Sequence, residues 1–254
     1  MSIERFETQW GGKSLIIETG RLANQASGSC TVQYGDTLIL ATAVMSAKAR
    51  EVDFLPLSVE YEERLYAAGK IKGSRFIKRE GRPTDEAILT GRMIDRSIRP
   101  LFSGEVRNDI QVILTVFSFD QENDSDIPAM IGAAAALMLS DIPWEGPIAA
   151  ARVGFIPAEE ATTGVGGEWV LNPTFEARLK SKLDLVVAGT AEKVLMIEAG
   201  AEEMSEARVQ EGVEFAQKHL RKVITLLEEL RAKIGKPKRV ASVAVITDEE
   251  AKLK

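Results

Sequence analysis

Two observations predict an α+β fold. Short runs of β-branched, aromatic and alternating apolar residues recur along the chain, several of them joined by two-residue turns containing glycine. These runs are interrupted by helical stretches in mixed order, with hairpins dominant. That arrangement differs from the regular strand–helix alternation of a doubly wound parallel sheet.

Each element follows from local chemistry. Phe6–Trp10 and Ser14–Glu18 flank Gly11-Gly12, and Ser29–Tyr34 and Thr37–Val44 flank Gly35-Asp36, so both pairs read as hairpins. Leu55–Tyr61 and Ile110–Phe119 are further strand-like runs, and the first half is expected to be antiparallel. Between them a helix is predicted over Asp85–Ile98, announced by Pro83-Thr84 and closed by Pro100. Ala129–Leu139 is alanine-rich and uncharged, which predicts a helix buried on every side. Strands resume at Ile148–Ile156 and Trp169–Leu171, followed by the hairpin of Asp184–Ala188 with Val194–Ala199. The last helix, Ser205–Ile234, carries Val209, Val213, Ala216, Leu220, Val223, Leu227 and Leu230 at three- and four-residue spacing, and ends at Gly235 and Pro237. Residues 236–254 read as a linker and the start of a further helix, as a truncated element would. Three units are expected: 1–145, 146–203, and 204–254 as a long helix opening an all-α segment.

Composition narrows the function. With 45% hydrophobic and 28% charged residues the chain is ordinary for a globular protein. Its longest apolar stretch, Ile127–Leu139, is shorter than the roughly 20 residues of a membrane helix, so no membrane partner is expected. The N-terminus lacks the apolar run of a signal peptide. Cys30 is the single cysteine and His219 the single histidine. Neither has the partners that metal or redox motifs require; Cys30 reads as a small core residue and His219 as a packing or surface residue. The cytoplasm is the expected compartment.

The net charge is −6, yet the positive charge is concentrated. Arg64, Lys70, Lys72, Arg75, Lys78, Arg79 and Arg82 face only Glu80 in one 19-residue stretch. Screening over about 8–10 Å lets such a patch attract a polyanion despite the acidic whole. Its glycines, cations and Phe76 suit single-stranded nucleic acid, where cations track phosphates and a ring stacks on a base. Phe76 with Ile77 could equally anchor the loop to the core. Behind it, Arg92, Arg96 and Arg99 share one helix face. They can contact phosphates, or pair with Asp85 or Asp95 and favour the helix C-terminus.

The run Gly81-Arg-Pro-Thr-Asp-Glu-Ala-Ile-Leu-Thr-Gly-Arg-Met-Ile-Asp-Arg-Ser-Ile-Arg-Pro-Leu-Phe102 resembles the core motif of the polynucleotide phosphorylase family. So do Ser27–Thr37, Asp53–Leu57 and Asn123–Gly132, and the likeness runs in order through most of residues 3–235. The resemblance implies an RNase PH-like fold, of the ribosomal protein S5 domain 2 type, here as the first of two such domains. It implies a 3′-to-5′ exoribonuclease that uses inorganic phosphate to release nucleoside diphosphates from single-stranded RNA, and can also run in reverse. Magnesium as cofactor, a homotrimer with a central channel and contacts with other RNA-degradation proteins are implied too. The family's channel loop carries two aromatics and two arginines, matched here by Phe76-Ile77-Lys78-Arg79: one ring is lost while both charges stay. Phe76, Lys78, Arg79, Arg82, Arg92, Arg96 and Arg99 are therefore the implied RNA-contacting residues.

The same resemblance implies that this domain lacks a complete reaction centre. The family's phosphate-binding turn is serine-rich, whereas here it reads Asn123-Asp124-Ser125-Asp126. Asp184 matches one catalytic aspartate, but Val186 stands where a lysine would be, and Phe175–Lys180 offers no second aspartate. Asp184 is thus a lone catalytic candidate with a structural role as the simpler reading, and the metal site is expected outside this chain. A non-catalytic RNA-binding or assembly module remains the alternative. A stand-alone RNase PH trimming transfer RNA ends fits less well, given the acidic turn and Val186.

Overall fold

A computed structural model describes residues 2–71, 81–158 and 166–240. It is α+β. A six-stranded sheet is built from β1 (Glu4–Trp10), β2 (Lys13–Thr19), β3 (Gly28–Tyr34), β4 (Thr37–Ala49), β5 (Leu57–Glu63) and β6 (Asn108–Ser118). Its spatial order is β1-β2-β3-β4-β6-β5. The glycine turns close as their chemistry demands: Gly11, Gly12 and Gly35 all have positive φ, so Trp10 pairs with Lys13 and Tyr34 with Thr37.

One pairing departs from the expected antiparallel pattern. β5 runs parallel to β6, with Leu57 opposite Ile110 and Tyr61 opposite Leu114. A parallel neighbour needs a crossover, and the connection through α1 (Asp85–Ile98) supplies it. Thr84 caps α1, its side chain accepting from the amide of Ala87, and Ala87, Met93, Ile94 and Ile98 face the core. Ile88 does not join them and is 48% exposed.

The second sheet holds β7 (Ala149–Ile156), β8 (Glu168–Leu171), β9 (Leu183–Gly189) and β10 (Val194–Ala201) in the order β10-β9-β7-β8, all antiparallel. A four-residue helix, α3 (Phe175–Arg178), precedes β9, and α4 (Glu206–Ile234) packs on β7 and β9.

Between the two sheets lies α2 (Asp126–Leu139), every residue of which is buried. Its alanines keep it thin enough to touch β3, β4, β7 and α4 together. The approach is close: a Cβ at Gly28 would stand 2.1 Å from the carbonyl oxygen of Ala136. The last turn of α2 has no basic residue of its own. Lys238 supplies one from beyond α4, its Nζ donating to the carbonyl oxygens of Leu137 at 2.6 Å and Ser140 at 2.8 Å. The Lys236 amide donates to Leu139 O, and the Arg239 amide to Asp141 O. Cys30 is buried against α2, and His219 packs on Phe215 with its Nδ1 2.8 Å from that residue's carbonyl oxygen. Among the described residues no helix is long and apolar enough to cross a membrane.

Candidate functional site: an ion-paired cleft between the sheets

The head of α2 points into a cleft where both sheets meet. The loop Asn123–Ser125 and the first helical residue, Asp126, come from the first half of the chain. β7 contributes Arg152, α3 contributes Arg178 and β9 contributes Asp184. Their side chains form one network. Arg152 pairs with Asp126 at 2.6 Å, with Asp124 at 3.2 Å and with Asp184. Arg178 pairs with Asp184 at 2.6 Å and with Asp124. The other Asp126 oxygen accepts from the amide of Ile127 at 2.7 Å, so a carboxylate of the chain itself occupies the positive end of α2.

The cleft has a volume of about 880 Å³. Six carboxylates line it (Glu63, Glu86, Asp124, Asp126, Glu176 and Asp184), against the guanidiniums of Arg152 and Arg178. This imbalance is visible in the titration of the groups. Burial and the neighbouring Asp126 raise Asp124 above the usual carboxylate range, against the pull of both arginines. Burial and Glu86 likewise raise Glu63. Burial opposes the charge on Arg152, but the three aspartates outweigh it and hold the guanidinium charged. On the cleft wall Tyr61 Oη and Ser125 Oγ are 2.6 Å apart, which commits the one serine hydroxyl of the turn to an internal hydrogen bond.

Such a site does not fit a magnesium ion. The three aspartates are tied up by two shared guanidiniums, and among the described residues no group of three or more His, Cys, Asp or Glu side chains is arranged to hold a metal. An incoming phosphate would meet net negative charge, with the helix terminus and both arginines already engaged.

Asp184 lies in this network as an ion-pair partner of Arg152 and Arg178. Val186 is buried. Of the candidate RNA-contacting residues, Phe76, Lys78 and Arg79 lie outside the described residues. Arg82 is exposed ahead of α1. The arginines of α1 do not form one uniform face. Arg92 is exposed and has no ion-pair partner among the described residues. Arg96 pairs with Glu198 of β10 at 2.6 Å. Arg99 turns back onto Asp95 at 2.7 Å and donates to the carbonyl oxygens of Leu55 and Leu57, tying α1 to the entry of β5.

Arg152 and Arg178 are the residues that sequence reasoning missed. The signal for Arg152 was present: one arginine within the apolar strand Ala149–Ile156 must be paired if it is buried. Arg178 gave no comparable sign.

The chain matches the 3′ exoribonuclease family model, domain 1 over residues 11–143 and domain 2 over residues 146–219. It is 51% identical over 248 residues to the polyribonucleotide nucleotidyltransferase of Thermus thermophilus, covering 98% of this chain and 33% of that protein. With the corresponding protein of Deinococcus radiodurans it shares 52% identity over 233 residues, covering 92% of this chain and 29% of that one. The chain thus spans about a third of the length of the curated relatives it matches. Two solved structures are similar in fold. An Archaeoglobus fulgidus exosome with RNA bound to its active site gives a TM-score of 0.60 at 16% identity, covering 87% of this chain and 86% of that one. Rice (Oryza sativa) Rrp46 gives 0.62 at 13%, covering 91% and 93%. The chain belongs to the 3′ exoribonuclease family, as an N-terminal RNase PH-like region of the polyribonucleotide nucleotidyltransferase kind.

Proposed function

We propose that this chain guides RNA and scaffolds assembly within a 3′-to-5′ phosphorolytic exoribonuclease, and that it has no complete reaction centre of its own. In the reaction, an oxygen of inorganic phosphate attacks the phosphorus of the terminal linkage. The bond to the preceding 3′ oxygen breaks, and a nucleoside diphosphate leaves. The observation that carries the inactive half of this reading is the ion-paired cleft: the two guanidiniums that could receive phosphate are engaged by Asp124, Asp126 and Asp184. Magnesium is then bound elsewhere in the full enzyme. Asp184 is a structural partner rather than a catalytic one.

RNA contact is assigned to Arg82, Arg92 and Arg96 and the stretch containing Phe76, Lys78 and Arg79, with Arg99 contributing mainly by tying α1, which carries Arg92 and Arg96, to the entry of β5. The exposure of Arg82 and Arg92 supports this assignment. The unit boundaries at 145 and 203 belong to the same reading, as do a homotrimeric assembly, a cytoplasmic setting and contacts with other RNA-degrading proteins. The test is phosphate-dependent release of nucleoside diphosphates from a single-stranded RNA by the purified chain, measured beside RNA binding. Binding without release is expected. Release at a rate that survives substitution of any co-purifying activity would place a working centre in this chain and refute the reading.

A further inference from the structure

Beside the ion pairs is a small space of about 10 Å³, lined by Tyr34, Asn123, Asp124, Arg152 and Asn172 among others. Two buried polar atoms of its lining residues have no hydrogen-bond partner: Asn123 Oδ1 and Arg152 Nε. Asn123 is 4% exposed, so solvent does not satisfy it from outside. Its amide orientation is fixed by chemistry. Nδ2 donates to the carbonyl oxygen of Asn172 at 2.9 Å, and reversing the amide would set two acceptors against each other. An acceptor is therefore left over on Asn123. On Arg152 a donor is left over, because its terminal nitrogens are committed to aspartates.

We propose that this space is a binding site for one structural water, which accepts from Arg152 Nε–H and donates to Asn123 Oδ1. Its second hydrogen has an acceptor in Tyr34 Oη, which donates to Gly11 O and accepts from Asn172 Nδ2. The volume is at the lower limit for a single water, about 10–15 Å³. Charge excludes the other small occupants: a metal cation meets the Arg152 guanidinium, and a halide meets Asn123 Oδ1 and the Asp124 carboxylate. Leaving both groups unpaired would be costly, whereas one water satisfies both. It joins the loop before α2 to β7, and so completes the polar seam between the two halves of the fold. It also fixes the edge of the guanidinium that the three aspartates do not hold.

A high-resolution crystal structure of the chain tests this directly, with oxygen-17 relaxation dispersion counting long-lived waters in solution. The expected result is a single density peak within hydrogen-bond distance of Asn123 Oδ1 and Arg152 Nε. The dispersion amplitude should fall by one water in a folded Asn123→Leu variant. A closed space with both atoms bonded to protein groups would overturn the proposal, as would anomalous scattering from a halide. An unchanged amplitude in that variant would do the same. If Asn123→Leu fails to fold, the density in the unaltered chain decides.

Discussion

Arg152 on β7 reaches Asp126 at the head of α2, Nη2 to Oδ2 at 2.6 Å, and thereby joins the two sheets through the end of the helix between them. The Arg152 side chain is only 12% exposed and carries contacts to three carboxylates. Its removal leaves buried Asp126 without its guanidinium and Asp124 and Asp184 sharing Arg178 alone. Arg152→Met should destabilise the fold by about 3–5 kcal/mol, the range for breaking a buried pair on one side. Urea unfolding measures it. Arg152→Lys should recover little, because one ammonium cannot span three acceptors; full recovery would mean that charge alone matters.

On the proposed reading, the internal carboxylates hold phosphate off. Removing them should therefore admit it. Asp124→Asn combined with Asp126→Ser frees guanidinium donors and the α2 terminus, and should raise affinity for inorganic phosphate on the order of tenfold or more. Phosphorus-31 line broadening reads the change. A wild-type chain that binds phosphate as well as the double variant would contradict the assigned role of the pair.

The arginines of α1 should separate by function. Arg92→Ala should weaken binding to single-stranded RNA and lower the salt slope by about 0.7, one phosphate contact, with stability unchanged. Arg99→Ala should instead lower stability, since Arg99 holds Leu55 O and Leu57 O. Equal effects of the two on RNA affinity would remove the distinction.

Asp124 titrates above its ordinary range in the folded chain because of burial and Asp126. The folded state therefore holds a proton that the unfolded state has released, over the interval from the usual aspartate value up to the raised one. Stability should fall as pH rises through that interval. Denaturation midpoints taken upward from about pH 4 should show this slope, reduced in Asp124→Asn. A slope that persists unchanged would assign it to Glu63 or another group.

Cys30 lies against α2 with its thiol pushed up by burial to about 12. A thiol reagent at neutral pH should not modify the folded chain and should react once it is unfolded. Fast modification under native conditions would show that the β3–α2 contact opens readily.

Much of this architecture was legible because its causes are local. Gly11-Gly12 and Gly35-Asp36 specify their hairpins by backbone geometry alone, and the uncharged Ala129–Leu139 run cannot face water on any side. The parallel pairing of β5 with β6 was not legible. It depends on where α1 carries the chain, and no residue within either strand encodes it. The cleft divides in the same way. Asp124, Asp126 and Asp184 are plain in the sequence, but their pairing depends on Arg152 and Arg178 arriving from other elements, with partners up to 54 positions apart in the chain. The short helix α3, which delivers Arg178, has only the Thr174 cap to announce it.

Lys238 grips one end of α2 and Arg152 the other. A helix of 14 residues spans about 21 Å and, packed on all sides, has no room to bend. It is therefore a fixed spacer: the segment leaving α4 and the paired carboxylates of the cleft are held a set distance apart along one buried helix.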